Sequence, residues 1–315
     1  MFFFFLTSGL FLGWSLGAND AANIFGTAVG SKMIRFRTAA IVAGIFVIIG
    51  ATLQGSGTTN TLSHLGAVDA LAGAFTVALS AAIVIFLMTR ALLPVSTTQA
   101  IVGAIIGWNL FTGHKTDARL LTTIVTTWVA SPVIGAVFSA IFYILLRALL
   151  RRLQLHLVIL DVYIKWALIV VGAFGAYSLG ANNIANVMGV FAGSAPDIVI
   201  DLGLFSLNGL QVLFLLGGIA IAIGILTYSK DLMMQVGRGI MALSAEAAIV
   251  TVLSQAVVLF LFSSTALYEA LKSAGLPAIP LVPVSSSQVI VGSIIGIGLV
   301  KGVNEIKFKT IRGIV

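Results

Sequence analysis

The sequence predicts an all-α polytopic membrane protein built from two inverted-topology repeats, with broken or re-entrant helices around a central site. Composition, an internal repeat and the placement of basic residues predict it. Of the 315 residues, 59% are hydrophobic and 9% charged, and the mean hydropathy is +1.15. Soluble domains carry about 25% charged residues, so a soluble surface could not be covered with these few. At about 20 residues per span, the chain suffices for about nine or ten spans with short loops and leaves no room for a soluble domain. There is no cysteine, which excludes disulfides, iron–sulfur clusters and thiol nucleophiles. The net charge of +7 sits at span ends, where basic residues mark the cytoplasmic side, so the expected partner is the lipid bilayer and not nucleic acid. The expected location is a cell membrane, crossed many times.

The repeat is carried by two motifs. Residues 15–23 read SLGANDAAN and residues 178–186 read SLGANNIAN, identical at seven of nine positions. Residues 94–110 read PVSTTQAIVGAIIGWNL and residues 283–299 read PVSSSQVIVGSIIGIGL, identical at 11 of 17. Composition bias can produce Ile, Val and Gly matches, but not two polar motifs in the same order. The first repeat is assigned to residues 1–150, a cytoplasmic linker helix to 151–164 and the second repeat to 165–315. The stretch after the first GAN motif carries Lys32, Arg35 and Arg37, whereas Ser194 to Asp201 after the second carries two Asp and no basic residue. The next loops reverse: Gln54 to Asp69 has neither Lys nor Arg, and its counterpart has Lys230 and Arg238. Equivalent loops thus lie on opposite sides by the positive-inside rule, the arrangement of inverted-repeat secondary transporters.

In order along the chain, Met1 to Leu6 lacks a basic n-region and reads as the start of a first span, not a signal peptide. That span starts outside, carries GANDAAN and ends inside near Lys32. Spans at about Thr38–Leu53 and Leu71–Leu93 follow. The Pro94 segment to Gly113 fits either a re-entrant hairpin around Ser96–Gln99 or a full span. A long span from Leu120 to Leu146 ends inside at Arg147, Arg151 and Arg152, and a linker helix at about Leu153–Tyr163 lies near the inner surface. The second half repeats this order upside down. It is expected to lack its last span, because Lys307–Arg312 stands where the loop before that span would be and the sequence given stops at Val315.

Polar side chains inside spans cost several kcal/mol unless satisfied, so polar clusters there are functional candidates. The first is Asn19, Asp20, Asn23 and Thr27, repeated at Asn182, Asn183 and Asn186. Residues four apart share a helical face. Gly17 and Gly26 flank the first copy, and unwinding there would expose backbone carbonyls, including those of Ala18 and Ala181, as cation ligands. Interhelical hydrogen bonding is the alternative use of such a row. The second cluster is Ser96, Thr97, Thr98 and Gln99, with its twin Ser285, Ser286, Ser287 and Gln288. Three successive hydroxyls cannot share one helical face. They suggest a helix N-terminus where hydroxyls and free N–H groups converge on an oxyanion, or an ordinary N-cap. None of the four motifs contains Lys, Arg or His, so an anion here would rely on neutral donors and a co-bound cation. His64, His114 and His156 have no metal-ligand spacing, and no hydrolase constellation or phosphate-cradling loop appears.

GANDAANIFGTAVGSK and GANNIANVMGVFAG, with PVSTTQ and PVSSSQ, resemble the paired signatures of the inorganic phosphate transporter (PiT) family, over essentially the whole chain. The resemblance implies a secondary active transporter that imports inorganic phosphate by cation symport with alternating access, and no enzymatic activity. It implies an anion site at Asp20, Ser96, Thr97, Thr98, Gln99, Asn183, Ser285, Ser286, Ser287 and Gln288. It implies cation ligands among Asn19, Asn23, Asn182 and Asn186, with Na⁺ at Asn23 and Asn186 as a co-transported ion and no cofactor. From the residues themselves, the Ala18 and Ala181 carbonyls join these ligands where the motifs unwind, and Glu246, the only Glu within a second-half span, fits either a cation site or a span-end position satisfied by Ser and backbone. A proton as coupling ion, a sulfate or other oxyanion permease of the same fold, a passive anion channel and a homo-oligomeric assembly stay open. Family members can carry a polar or acidic residue in the second span; here the region is Phe46, Val47, Ile48 and Ile49, which leaves any cation site needing an acid there without one.

Overall fold

Seven helices among the described residues are long and apolar enough to cross a bilayer. The computed structural model describes residues 1–65, 68, 70–153, 156–201, 203, 206–237 and 243–302. The first half comprises α1 (Phe2–Gly30), α2 (Phe36–Gln54), α3 (Ser56–Ser63), α4 (Leu71–Arg90), α5 (Thr97–Thr112) and α6 (Ala118–Leu153). The second comprises α7 (Leu157–Met188), a 3-10 turn (Gly189–Ser194), an antiparallel hairpin of β1 (Val199–Asp201) and β2 (Ser206–Asn208), α8 (Gly209–Tyr228), α9 (Lys230–Gln235), α10 (Ala245–Ser263), α11 (Thr265–Ser273) and α12 (Ser286–Lys301). The order α1 to α5 returns as α7, α8, α9, α10 and α12. The hairpin and α11 fall where the second half is the longer.

Two spans of each half cross those of the other. Gly17 of α1 lies against the carbonyl of Ile221 on α8, and Gly180 of α7 against the carbonyl of Val47 on α2. Reciprocally, Gly224 lies against the carbonyl of Trp14 and Gly50 against that of Tyr177. An added Cβ would overlap the facing carbonyl oxygen in all four places, so these glycines let the backbones approach closely, as small residues do at helix interfaces in membranes. The contacts also fix direction. Gly9 of α1 meets Val187 and Phe191, while Ile24 and Phe25 meet Gly175 and Gly172, so α1 and α7 run antiparallel. Gly44 meets Ala222 and Gly218 meets Ala51, so α2 and α8 do too. Repeat-equivalent helices therefore point in opposite directions.

The centre of the molecule is polar and its periphery apolar. α6 packs on α12 and turns Val125, Val129, Val133 and Val137, spaced by four, to the outside. Its 36 residues span about 54 Å, longer than a bilayer core, so its arginine-bearing end projects beyond it. α5 and α12, 16 residues each, reach about 24 Å and begin inside the molecule. The segments before them are extended or turn-like, so each of α4–α5 and α10–α12 places its connecting tip at the centre, a re-entrant arrangement.

Three expectations differ. α1 and α7 run as unbroken α-helix through both GAN motifs; Gly17 and Gly180 serve close packing and not unwinding, so the carbonyls of Ala18 and Ala181 lie within helical turns and are not the exposed ligands an unwound segment would supply. Among the described residues no separate linker helix stands at 153–163: α6 extends to Leu153, and Leu157–Tyr163 forms the first turns of α7. The short α3, packed on α7, and α9, packed chiefly on α1 through Leu232 and Met233, were not anticipated. The expectation on Lys307–Arg312 lies outside the described residues.

Candidate anion and cation site

Each asparagine row anchors a tip. Asn19 Oδ1 accepts from the Val95 N–H (3.1 Å) and its Nδ2 donates to Thr89 Oγ1 (2.8 Å) and the Leu93 carbonyl (3.1 Å). Asn182 does the same in its own half, accepting from the Val284 N–H (3.0 Å) and donating to the Val284 carbonyl (2.9 Å). One turn on, the bonds cross between halves. Asn23 Nδ2 donates to Ser286 Oγ (3.3 Å) and Ser287 Oγ (3.1 Å), and Asn186 Nδ2 donates to Thr98 Oγ1 (3.0 Å). The tips cross as well, Thr98 Oγ1 donating to the Val284 carbonyl (3.2 Å) and Ser287 Oγ to the Val95 carbonyl (3.2 Å).

The hydroxyl runs work as the N-termini of α5 and α12. Ser96 and Ser285 are the N-caps, accepting from the N–H of Gln99 and Gln288 at 3.3 Å in both copies. The next two hydroxyls of each run turn inward, Thr97 to Asp20, Thr98 to Asn186, and Ser286 and Ser287 to Asn23. Both helix N-termini, with their unsatisfied N–H groups, therefore point at one place from the two halves.

Asp20 and Asn183 meet between them. Asn183 Nδ2 donates to Asp20 Oδ2 (2.9 Å), and Ser286 Oγ (3.3 Å) and Thr97 Oγ1 (3.5 Å) also reach the carboxyl. Asn183 Oδ1 accepts from Asn182 Nδ2 (2.9 Å) and Asn186 Nδ2 (3.0 Å). Asn19, Asp20, Asn23, Thr97, Thr98, Asn182, Asn183, Asn186, Ser285, Ser286 and Ser287 are each at most 3% exposed. None of these bonds involves Lys, Arg or His. The arrangement supplies neutral donors and a single carboxyl, suited to an oxyanion accompanied by a cation. Asn186 Oδ1 has no partner, which leaves a buried amide oxygen for a hard cation such as Na⁺.

Not every expected residue joins. Gln99 faces outward and Gln288 is half-buried with Oε1 unpartnered. Glu246 lies in the first turn of α10, half-buried, lining an apolar cleft of about 400 Å³ with Leu146, Leu150 and Leu160; it contributes to no hydrogen bond of the central cluster. Thr89 and the Val95 and Val284 backbones were missed. A signal for Thr89 existed, since the two halves align it with Ser263, a small hydroxyl at the same helix end.

Comparisons with known proteins bear on the family and the fold. The model of the phosphate transporter family matches residues 16–165 and again 159–315, both halves of the chain. A candidate phosphate permease of Pyrococcus furiosus is 25% identical over 98% of this chain and 89% of its own length, and one of Methanocaldococcus jannaschii is 26% identical over the same shares. A solved structure described as the sodium-dependent phosphate transporter matches 99% of this chain and 92% of its own at a TM-score of 0.73 and 22% identity, a likeness of fold.

Proposed function

Because the chain belongs to the phosphate transporter family, a family of transporters and not enzymes, we propose that this multi-pass membrane protein imports inorganic phosphate by Na⁺ symport. One observation carries the reading: Thr97 and Ser286, hydroxyls of opposite halves, converge on Asp20 in a buried cluster free of basic side chains. An anion there takes its hydrogen bonds from both repeats at once. A dianion beside a carboxyl, away from water, requires a compensating cation. Na⁺ at Asn186, and by repeat equivalence at Asn23, supplies that charge. The antiparallel halves give two equivalent ways to open the site, one to each side. The basic loops orient the molecule with the C-terminal end of α1 and the N-terminal end of α10 toward the cytoplasm.

Proton coupling is the second reading, since the Asp20 carboxyl, with no cationic side chain among its bonded partners, can itself carry a proton. Labelled phosphate counterflow in proteoliposomes tests both. Exchange that requires Na⁺ and is indifferent to a pH gradient supports Na⁺ symport. Exchange that follows the pH gradient without Na⁺ supports the proton, and flux driven by voltage alone points to a channel.

A further inference from the structure

The asparagine rows continue past the central cluster. Ser178, Asn182 and Asn186 of α7 are spaced by four and are 0% exposed, as Ser15 and Asn19 are in the corresponding row of α1. Ser15 Oγ and Ser178 Oγ have no hydrogen-bond partner. In the second half a further polar group joins. Gln255 of α10 is 1% exposed, and neither its Nε2 nor its Oε1 is bonded.

The packing of α10 on α7 sets the level of that glutamine. Val252 lies against Gly175, and the Phe260 ring lies 5.8 Å from that of Phe174. Gln255, between Val252 and Phe260, therefore falls at the level of Phe174 and Gly175, one turn before Ser178 and two turns before Asn182. The first half packs alike, with the Phe86 ring 5.9 Å from that of Phe11. Aligning the two phenylalanine pairs places Ala81 where Gln255 stands and Val77 where Thr251 stands. Thr251, also buried, is one turn from Gln255 on the same face; its hydroxyl donates to the Ala247 carbonyl (2.7 Å) and so keeps acceptor capacity. A buried amide with no bond at either end is costly in a span, and water with two to four polar partners removes that cost.

We propose that Ser178, Thr251 and Gln255 line a water-accessible pocket connecting the central site with the cytoplasmic end of α10, and that the first half has no counterpart. The sidedness rests on the orientation proposed above; the pocket does not. Ser178, one turn from Asn182, forms its inner end, so the site is hydrated on one side through a route that its pseudosymmetric mate, lined by Val77 and Ala81, does not offer.

The chain has no cysteine, so single cysteines report alone. Q255C, T251C and the control A81C are reconstituted as full chains, checked for folding by size-exclusion profile, and treated from each face with a small membrane-impermeant thiol reagent. Q255C and T251C should react from the cytoplasmic face at least about tenfold faster than A81C, because a thiol kept from water scarcely ionises. Phosphate with Na⁺ should slow that reaction. Equal rates for Q255C and A81C, or modification from the outside alone, overturn the proposal, and T251C decides the same question should Q255C misfold. Fast cytoplasmic labelling that phosphate and Na⁺ leave unchanged supports the pocket while counting against the phosphate reading.

Discussion

Asp20 and Asn183 occupy equivalent positions with different chemistry, and the structure places them in contact at 2.9 Å. At neutral pH phosphate carries at least one proton, whereas sulfate carries none. A carboxylate sharing the donors Thr97 and Ser286 with the anion can accept a hydrogen bond from phosphate and only repels sulfate. Such a charge-assisted bond contributes about 1.5–3 kcal/mol, roughly tenfold to hundredfold in selectivity. Asp20→Asn should therefore weaken phosphate uptake and improve sulfate as a competitor relative to wild type; an unchanged phosphate-to-sulfate ratio with lost cation dependence would assign Asp20 to charge balance alone. Asn186 makes the second prediction at this scale. Removing its unpartnered oxygen with Asn186→Ala should raise the Na⁺ concentration for half-maximal uptake by about tenfold, the worth of one lost ligand of about 1.4 kcal/mol; uptake with unaltered Na⁺ dependence would refute the assignment. These residues were legible in the sequence because polar groups inside apolar spans stand out, and because they occur twice. Which amide bonds which hydroxyl was not, since the crossed pairs are separated by 88 to 264 positions and no local pattern encodes them.

At the scale of elements, the glycines beside the GAN motifs carried an ambiguous signal. A glycine in a span permits either a break or a close approach, and only the neighbouring helix decides. Here Gly17 and Gly180 face carbonyls of α8 and α2, and the helices stay continuous. Gly17→Ala or Gly180→Ala should consequently destabilise the protein by about 1–3 kcal/mol through overpacking, read as a lower melting temperature in detergent. Gly103 on α5 has no atom within 4 Å of an added Cβ, so Gly103→Ala should be neutral or stabilise by up to about 1 kcal/mol. Equal effects at the two kinds of site would mean that the crossing geometry is wrong. The short α3 and α9 escaped sequence reading for another reason. They are too brief to show a period, and Thr58, buried in α3, is placed by its bonds to the Ala181 and Asn182 carbonyls across the repeat boundary.

For the whole molecule, the division into halves and the polar centre followed from two duplicated motifs, and the antiparallel course of α1 and α7 agrees with the alternation of basic loops. The sidedness of the membrane is tested by Lys32→Cys and Asp197→Cys. The first should be modified only from the cytoplasmic face and the second only from the outside; modification of both from one face would retire the inverted arrangement. The direct contact of Asp20 with Asn183 bears on the history such a molecule can have. A chain of one half, pairing with an upside-down copy of itself, must place identical residues at both positions. Two aspartates at that separation must hold a proton between them, and two asparagines offer the site no charge. Joining two copies in one polypeptide is what lets the positions diverge, so a carboxyl bonded to an amide donor across an axis of near symmetry is open to a fused duplicate and closed to a homodimer of halves.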